Sequence, residues 1–266
     1  MYFGFWNDPS LFYWAGIDLS VGSVLALGSV VAGFMMNQQG FGLSSMGLFG
    51  TVLAFAAVFA VCGGFGAFTG AMVAKFKMPP FVVSLGIFVM ARGLALIVSG
   101  GQKFGDFSPS FNWAGSAYVP VTASSVLIVL ATLAIALSIA RSHFKALKKG
   151  LRAPSWLWVT EIAATLVIGA ALFWVFQYRG LPVSVLVMLM AFGGIWFLLN
   201  KTVFGRSVYA IGGNPEAARL CGIRVPWVIF GSFVLMGVCV ALASIIETGR
   251  LSTGDPTGGQ LYELDA

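Results

Sequence analysis

Seven long apolar stretches separated by short polar segments constrain this chain of 266 residues more than any other feature of its sequence. A helix needs about 20 residues to cross a bilayer, because the hydrocarbon core is about 30 Å thick and each helical residue rises 1.5 Å. Lipid also requires that every backbone polar group be bonded within the chain, which favours helices. The stretches run approximately over 21–36, 48–74, 81–98, 119–140, 156–178, 181–199 and 227–246. They predict an all-α, polytopic transmembrane helical bundle of about seven spans, forming a single domain over 1–266.

Composition excludes the soluble classes of protein. Hydrophobic residues make up 59% of the chain and charged residues only 9%, against about 25% charged in soluble domains. The net charge of +6 invites a nucleic-acid interpretation, but the basic residues lie in short loops and form no basic face. The expected surroundings are therefore a lipid bilayer, and no nucleic acid is expected as a partner.

Two of the stretches leave their helix limits open. The first is short for a span, and a helix beginning upstream near Leu11 would remove the shortfall and place Gly16 and Asp18 within the membrane. The second is long enough to tilt, or to break at Gly63 and Gly64.

The basic residues alternate between the two sides of the predicted bundle. Eleven fall in the loops 75–80, 141–155 and 200–226, namely Lys75, Lys77, Arg141, Lys145, Lys148, Lys149, Arg152, Lys201, Arg206, Arg219 and Arg224. Three fall in the alternate connections, namely Lys103, Arg179 and Arg250. Because cytoplasmic loops carry an excess of Lys and Arg, the three basic loops are predicted to be cytoplasmic. Arg92 and Glu161 lie inside stretches about 9 and 7.5 Å from an end, where snorkelling to the headgroups is favoured over a proton or ion relay.

The sequence contains no signature of catalysis or of a metal site. It has no GxxxxGK[ST] phosphate loop and no HExxH motif, and His143 is its one histidine. Cys62, Cys221 and Cys239 are widely spaced, which suggests packing thiols. We therefore predict no catalytic residue, no metal and no cofactor, so that any energy source belongs to another subunit.

Asp18, Ser20 and Ser23 place a carboxylate and two hydroxyls at the start of the first apolar stretch. Asp18 could cap a helix at the membrane boundary, which would be a purely structural role. Alternatively, the helix is broken and the three side chains line a polar substrate pathway, since irregular backbone at membrane depth needs a cavity or surrounding protein. The residues alone leave both interpretations open.

The cytoplasmic loop 200–226 contains a short helix signature. Asn214 is a favoured N-cap, Pro215 suits the first helical position, Glu216 complements the helix dipole, and Gly222 can adopt the left-handed conformation. These residues predict a helix over 215–221, with Gly212–Gly213 as a flexible joint before it. The helix is either a capped connector or a coupling element that sits in a groove of a soluble partner.

Four motifs in this order resemble the membrane permeases of bacterial ABC sugar importers, the ribose, xylose and galactoside group. They are Gly16–Ser23, Pro80–Gly86 with Arg92–Gly93, Val208–Asn214 with Glu216–Arg219, and the terminal Glu263–Ala266. The segment from Arg141 to Pro182 is similar to an insertion of the xylose-type permeases that ribose-type members lack, which favours xylose or a related pentose. Family members carry a span before the first motif and continue beyond the last, so the chain is expected to be incomplete at both ends.

The resemblance implies a transport subunit of the bacterial inner membrane that is not itself an enzyme. Its expected partners are two cytoplasmic ATPase subunits, which use the ATP, a periplasmic sugar-binding protein, a second permease copy in a homodimer, and a monosaccharide substrate. The resemblance also implies that the loop contains the ATPase-coupling residues, namely Gly205, Arg206, Tyr209, Gly212, Gly213, Asn214, Glu216, Ala217, Ala218, Arg219 and Gly222.

Two other functions remain as alternatives at this point. One is a secondary transporter or channel driven by an ion gradient, which would be distinguished by paired intramembrane acids and inverted repeats. The other is a membrane scaffold that does not transport, in which the capped loop only docks a partner.

The charge asymmetry generates a test of topology. We expect a cysteine introduced as Asn214→Cys, in a variant without the three native cysteines, to react with a membrane-impermeant maleimide in inverted vesicles and not in intact cells. Labelling from outside intact cells would reverse the predicted orientation.

Overall fold

A computed structural model describes residues 18–38, 40–148, 155–260 and 262. These residues form ten α-helices and a short 3-10 turn at Leu43–Met46, and no strand occurs among them. The helices are α1 (Val21–Met36), α2 (Gly47–Phe76), α3 (Pro80–Ser99), α4 (Pro109–Ser116), α5 (Val121–Lys148), α6 (Ser155–Phe176), α7 (Val183–Lys201), α8 (Val203–Gly213), α9 (Pro215–Leu220) and α10 (Val225–Leu251).

The predicted all-α polytopic bundle is confirmed. Within the described residues, six helices are long and apolar enough to cross a membrane, and α1 is a shorter apolar helix. The expectation of a helix running on from Leu11 is wrong, because Asp18–Ser20 form a turn and α1 begins at Val21. Residues 11–17 themselves lie outside the described residues. The long second stretch is unbroken at Gly63 and Gly64, so α2 is one continuous helix.

Residues Ala117–Leu186 form a compact unit of their own, the hairpin of α5 and α6. Gly169 of α6 allows close contact, because an added methyl group would lie 2.5 Å from the Thr132 hydroxyl oxygen of α5. The open end of the hairpin is closed by a backbone hydrogen bond of 2.8 Å from the Val119 amide to the Leu181 carbonyl. Gly180, the residue before Leu181, has a φ of +82°. This left-handed conformation, which glycine adopts readily, allows the tight turn between α6 and α7.

The remaining residues form the second unit, in which α10 packs along α2 with almost no side chain between the two backbones. A methyl group at Gly66 would lie 2.5 Å from the Phe233 carbonyl oxygen, and one at Gly237 would lie 2.6 Å from the Cys62 carbonyl oxygen. Close approach of this kind replaces the hydrophobic driving force that two helices lack in lipid.

The contacts between α2 and α10 are antiparallel and continue towards one end of the unit. Gly70 of α2 faces Phe230 of α10, where an added methyl group would meet the Phe230 carbonyl oxygen at 3.0 Å. The residues that follow α2 and those that precede α10 therefore lie at the same end. We call this the basic end, because it carries the basic loops 75–80 and 200–226.

The glycine contact predicts an asymmetric response to two similar substitutions on α2. Gly66→Ala should lower the melting temperature in detergent by several degrees, since overpacking costs about 1–3 kcal/mol. Gly64→Ala is the matched control, because nothing lies within 4 Å of a methyl group there, and it should leave the melting temperature unchanged or slightly higher. Equal melting temperatures for both variants would contradict the close contact.

Candidate functional site

Helix α1 begins close to the middle of the neighbouring spans rather than at their ends. The Cys62 thiol, at the midpoint of α2, donates to the Val24 carbonyl across 3.7 Å. One turn further along α1, an added methyl group at Gly28 would lie 2.9 Å from the same sulfur. The first turn of α1 is therefore surrounded by the middle of the bundle.

Asp18 and Ser20 form the turn that precedes α1. The Asp18 carboxylate accepts hydrogen bonds from the Ser20 amide at 2.9 Å and from the Ser20 hydroxyl at 2.6 Å. These bonds form a local turn and not a cap of the helix, because no side chain caps the first turn of α1. Ser20 and Ser23 are both buried, and the Ser23 hydroxyl has no hydrogen-bond partner among the described residues. Whether these side chains contact a substrate stays a prediction.

Residues 253–260, which we call the return segment, leave the end of α10 and run back along α1. Gly254 is joined to Phe104 by a pair of backbone hydrogen bonds of 2.8 and 2.9 Å, and a methyl group on it would lie 3.1 Å from the Gly33 Cα. A methyl group on Gly259 would instead meet the Gly22 carbonyl oxygen at 2.7 Å. From Gly33 to Gly22 the helix rises about 16 Å, so this non-helical segment reaches from the outer part of α1 to its first turn.

The meeting of the return segment with the start of α1 is here called the polar junction. Two non-helical pieces of backbone come together there, Asp18–Ser20 before α1 and the end of the return segment. Irregular backbone at this depth persists only where protein or a water-filled cavity surrounds it. The broken-helix interpretation of the sequence stays a prediction.

Arg92 of α3 holds the return segment in place. Its guanidinium Nη1 donates to the Pro256 carbonyl at 3.0 Å and to the Gly258 carbonyl at 2.9 Å. The expectation that Arg92 snorkels to the headgroups is wrong, because its side chain binds backbone carbonyls within the protein. A charged donor to two carbonyls satisfies groups that would otherwise be unbonded at membrane depth.

Asp255 anchors the outer part of the return segment. Its carboxylate forms an ion pair of 2.6 Å with Lys103 and accepts hydrogen bonds of 2.8 and 2.7 Å from the amide and hydroxyl of Thr257. Burial raises the pKa of the Asp255 carboxyl, but the hydrogen bonds from Lys103 and Thr257 lower this pKa by more. The pKa therefore lies below its ordinary value, and Asp255 is ionised at neutral pH. The Asp255 amide also donates to the Ser29 hydroxyl at 3.2 Å, which ties the segment to α1.

At the basic end, the predicted short helix is confirmed as α9, which ends one residue earlier than expected. The Asn214 side chain accepts from the Ala217 amide at 3.0 Å, as an N-cap does, and Pro215 occupies the first turn. Glu216 lies in the first turn and Arg219 in the last, where each complements the helix dipole. Gly222 follows with a φ of +83°.

The expectation that Gly212–Gly213 form a flexible joint is wrong, because both residues end α8. Helix α8 was not predicted from the sequence. The sequence feature that could have predicted α8 is Thr202, whose hydroxyl accepts a hydrogen bond from the Gly205 amide at 3.3 Å and caps the first turn. Gly205 is buried against the Leu199 carbonyl of α7, whereas Arg206 and Tyr209 are exposed on α8.

A small apolar core fixes α9 relative to α10. Ile211 of α8, Ala218 of α9 and Val225 of α10 are buried together. Ala217 and Leu220 face outward, and Leu220 is 88% exposed. Cys221 is exposed as well, so it is no packing thiol, whereas Cys62 is buried.

Several residues named in the sequence predictions belong neither to the polar junction nor to the basic end. Glu161 is exposed on α6, and its snorkelling stays a prediction. Gly16 and Ile17 of the first motif and all of Glu263–Ala266 lie outside the described residues. Across the part of the chain that the structure describes, no group of three His, Cys, Asp or Glu residues could hold a metal ion.

The apolar helices, the polar junction and the capped segment at the basic end together define a multi-pass membrane protein with an interrupted, polar interior. A family model described as the permease component of the branched-chain amino acid transport system matches residues 11–266. The chain belongs to this family.

Named relatives refine the comparison. The xylose transport system permease protein XylH of Escherichia coli strain K12 is 34% identical over 256 residues, which is 95% of this chain and 63% of that protein. The ribose import permease protein RbsC of the same strain is 29% identical over 256 residues, with 95% and 59% covered. RbsC of Bacillus subtilis strain 168 is 30% identical over 252 residues, with 94% and 58% covered.

These matches confirm the resemblance to sugar-importer permeases, with xylose permeases among the most similar. The chain spans less than two thirds of the length of these relatives. No solved structure matches the chain.

The Arg92 contacts predict that one side chain controls the stability of the return segment. Arg92→Gln should accelerate hydrogen–deuterium exchange in residues 253–260 by about tenfold or more, because hydrogen bonds to charged groups contribute about 1.5–3 kcal/mol each. Arg250→Gln is the control, since Arg250 is exposed beside the same segment. Unchanged exchange in the Arg92 variant would show that the segment is held by other contacts.

Proposed function

We propose that the chain forms part of the membrane-spanning permease of an ATP-driven importer for a monosaccharide. The observation that carries the proposal is that α10 joins a capped segment at the basic end to the polar junction. Val225, the first residue of α10, is packed with α8 and α9, and the return segment leaves its other end. A displacement of α9 is thereby transmitted along one helix to the interior of the bundle.

The substrate pathway in this proposal passes the polar junction. Asp18, Ser20 and Ser23 supply a carboxylate and hydroxyls on one side, and the return segment supplies Thr257 and Gln260, both of which are exposed. A neutral sugar needs hydrogen-bond partners for its hydroxyls and no counter-ion, which matches such a lining. The Ser23 hydroxyl, without a partner among the described residues, is a group that a sugar or water could satisfy.

The energy source in this proposal is a pair of cytoplasmic ATPase subunits that bind α8 and α9. The exposed residues of these helices, including Arg206, Tyr209, Glu216 and Leu220, offer a surface that a groove can accept. The chain itself supplies no catalytic residue and no cofactor. A periplasmic binding protein delivers the sugar on the opposite side of the bacterial inner membrane, and two permease copies form the pathway as a homodimer.

Xylose or a related pentose is the proposed sugar. Two observations support this choice: the higher identity to a xylose permease than to a ribose permease, and the α5–α6 hairpin. The hairpin forms a compact unit of its own, as an inserted pair of spans would.

Transport by the full-length permease, reconstituted with its ATPase and binding protein, tests the proposal. We expect pentose uptake that requires ATP, and we expect Glu216→Lys and Gly213→Val each to reduce sugar-stimulated ATP hydrolysis at least tenfold without affecting membrane insertion. Arg141→Gln, on α5, is the control that should leave coupling unchanged. Uptake that is indifferent to ATP would overturn the importer, and unchanged coupling in both the Gly213 and the Glu216 variants would indicate a scaffold.

A further inference from the structure

A cleft of about 620 Å³ opens at the basic end between the last turn of α2, helix α9 and the first turn of α10. Its volume lies within the range of ordinary ligand pockets. The cleft lies where two membrane-spanning helices end, at the level where lipid headgroups meet the protein. It is separate from the polar junction.

Three cations line this cleft and one carboxylate accompanies them. Lys77 follows α2, Arg219 belongs to α9 and Arg224 precedes α10, while Glu216 is the acidic residue. None of the three cations forms an ion pair with any residue that the structure describes. Like charges that share a cleft repel one another, so an anion from outside the chain would stabilise the three cations.

The walls of the cleft are apolar on the side that faces the membrane. Val73 and Ala74 of α2 lie opposite Ile229 of α10. Trp227 stands at the rim and is 68% exposed, a position typical of the aromatic residues found at membrane interfaces. The cleft thus combines a cationic mouth with an apolar wall, which fits an amphiphile better than a free inorganic ion.

We propose that this cleft binds the headgroup of an anionic phospholipid. The phosphate lies among Lys77, Arg219 and Arg224, and the beginning of an acyl chain follows Val73 and Ile229. Basic pockets between spanning helices on the cytoplasmic side are suited to such headgroups. The proposal rests on the placement of the chain in a membrane and does not depend on which sugar is carried.

An acidic segment of a soluble partner is a less suitable occupant. The outward residues of α9, Ala217 and Leu220, do not line the cleft, so a partner that binds α9 through them need not fill the cleft, although Glu216 and Arg219 belong to both surfaces. Bound lipid would join Arg219 of α9 to Lys77 of α2 through its phosphate. The coupling segment would then be attached to a second span in addition to its continuity with α10.

Native mass spectrometry of the permease alone, released from nanodiscs that contain phosphatidylglycerol and phosphatidylcholine, tests this proposal. The wild-type protein should retain phosphatidylglycerol selectively. Lys77→Gln, Arg219→Gln and Arg224→Gln should each lower the retained fraction about fivefold, the equivalent of about 1 kcal/mol per cation near an anionic lipid. Lys75→Gln is the matched control, because Lys75 lies two residues from Lys77 at the same end but does not line the cleft.

The outcomes separate the possible explanations. Lys77→Arg should keep the lipid, which would show that loss in the Gln variant is not a folding defect. Equal losses in the Lys75 and Lys77 variants would reduce the effect to general surface charge and overturn the site. Unchanged retention in the three Gln variants, together with weaker binding of the ATPase, would assign the cations to a protein interface instead. No sugar or ATP is present, so failure here is distinct from failure of the importer proposal.

Discussion

The close glycine contact between α2 and α10 is the interaction on which the rest of the unit depends. In lipid, apolar side chains gain nothing by leaving their surroundings, so two helices associate through close packing and interhelical hydrogen bonds. Gly66 and Gly237 allow the two backbones to approach without intervening side chains. Because α10 is fixed in this way, the segments attached to its two ends are fixed as well.

The two ends of α10 carry different chemistry. At the basic end, Val225 enters a small apolar core with Ile211 and Ala218, so α9 is held by packing that needs no long apolar face of its own. At the other end, the return segment is held by hydrogen bonds and an ion pair, which are directional and leave its backbone in one position. Packing thus positions the surface helix, and polar contacts position the non-helical interior.

Much of the fold could be predicted from local signals in the sequence. The apolar stretch 81–98 became α3, Pro80–Ser99, because hydropathy and bilayer thickness fix span length. Asn214 and Pro215 predicted α9 because capping depends on neighbouring residues only. Helix α8 was missed because the pair Gly212–Gly213 favours a turn when only local sequence is considered. Burial of Ile211 against residues later in the chain outweighs that local preference.

The interior could not be predicted because its contacts join distant parts of the chain. Arg92 and Pro256 are 164 residues apart, and neither the spacing nor the composition of either segment indicates the other. A lone arginine near the end of an apolar stretch is typical of snorkelling, and only the folded path of residues 253–260 brings carbonyl acceptors to it. The start of α1 at Val21, later than the sequence predicted, likewise depends on its neighbours rather than on its own sequence.

The placement of Asp18 beside the first turn of α1 has an electrical consequence. A helix N-terminus carries about half a positive elementary charge, and an ionised carboxylate beside it opposes that field. Moving one elementary charge through 100 mV costs about 2.3 kcal/mol, whereas an uncharged solute incurs no such cost. A neutral molecule that passed this point would therefore move independently of the membrane potential.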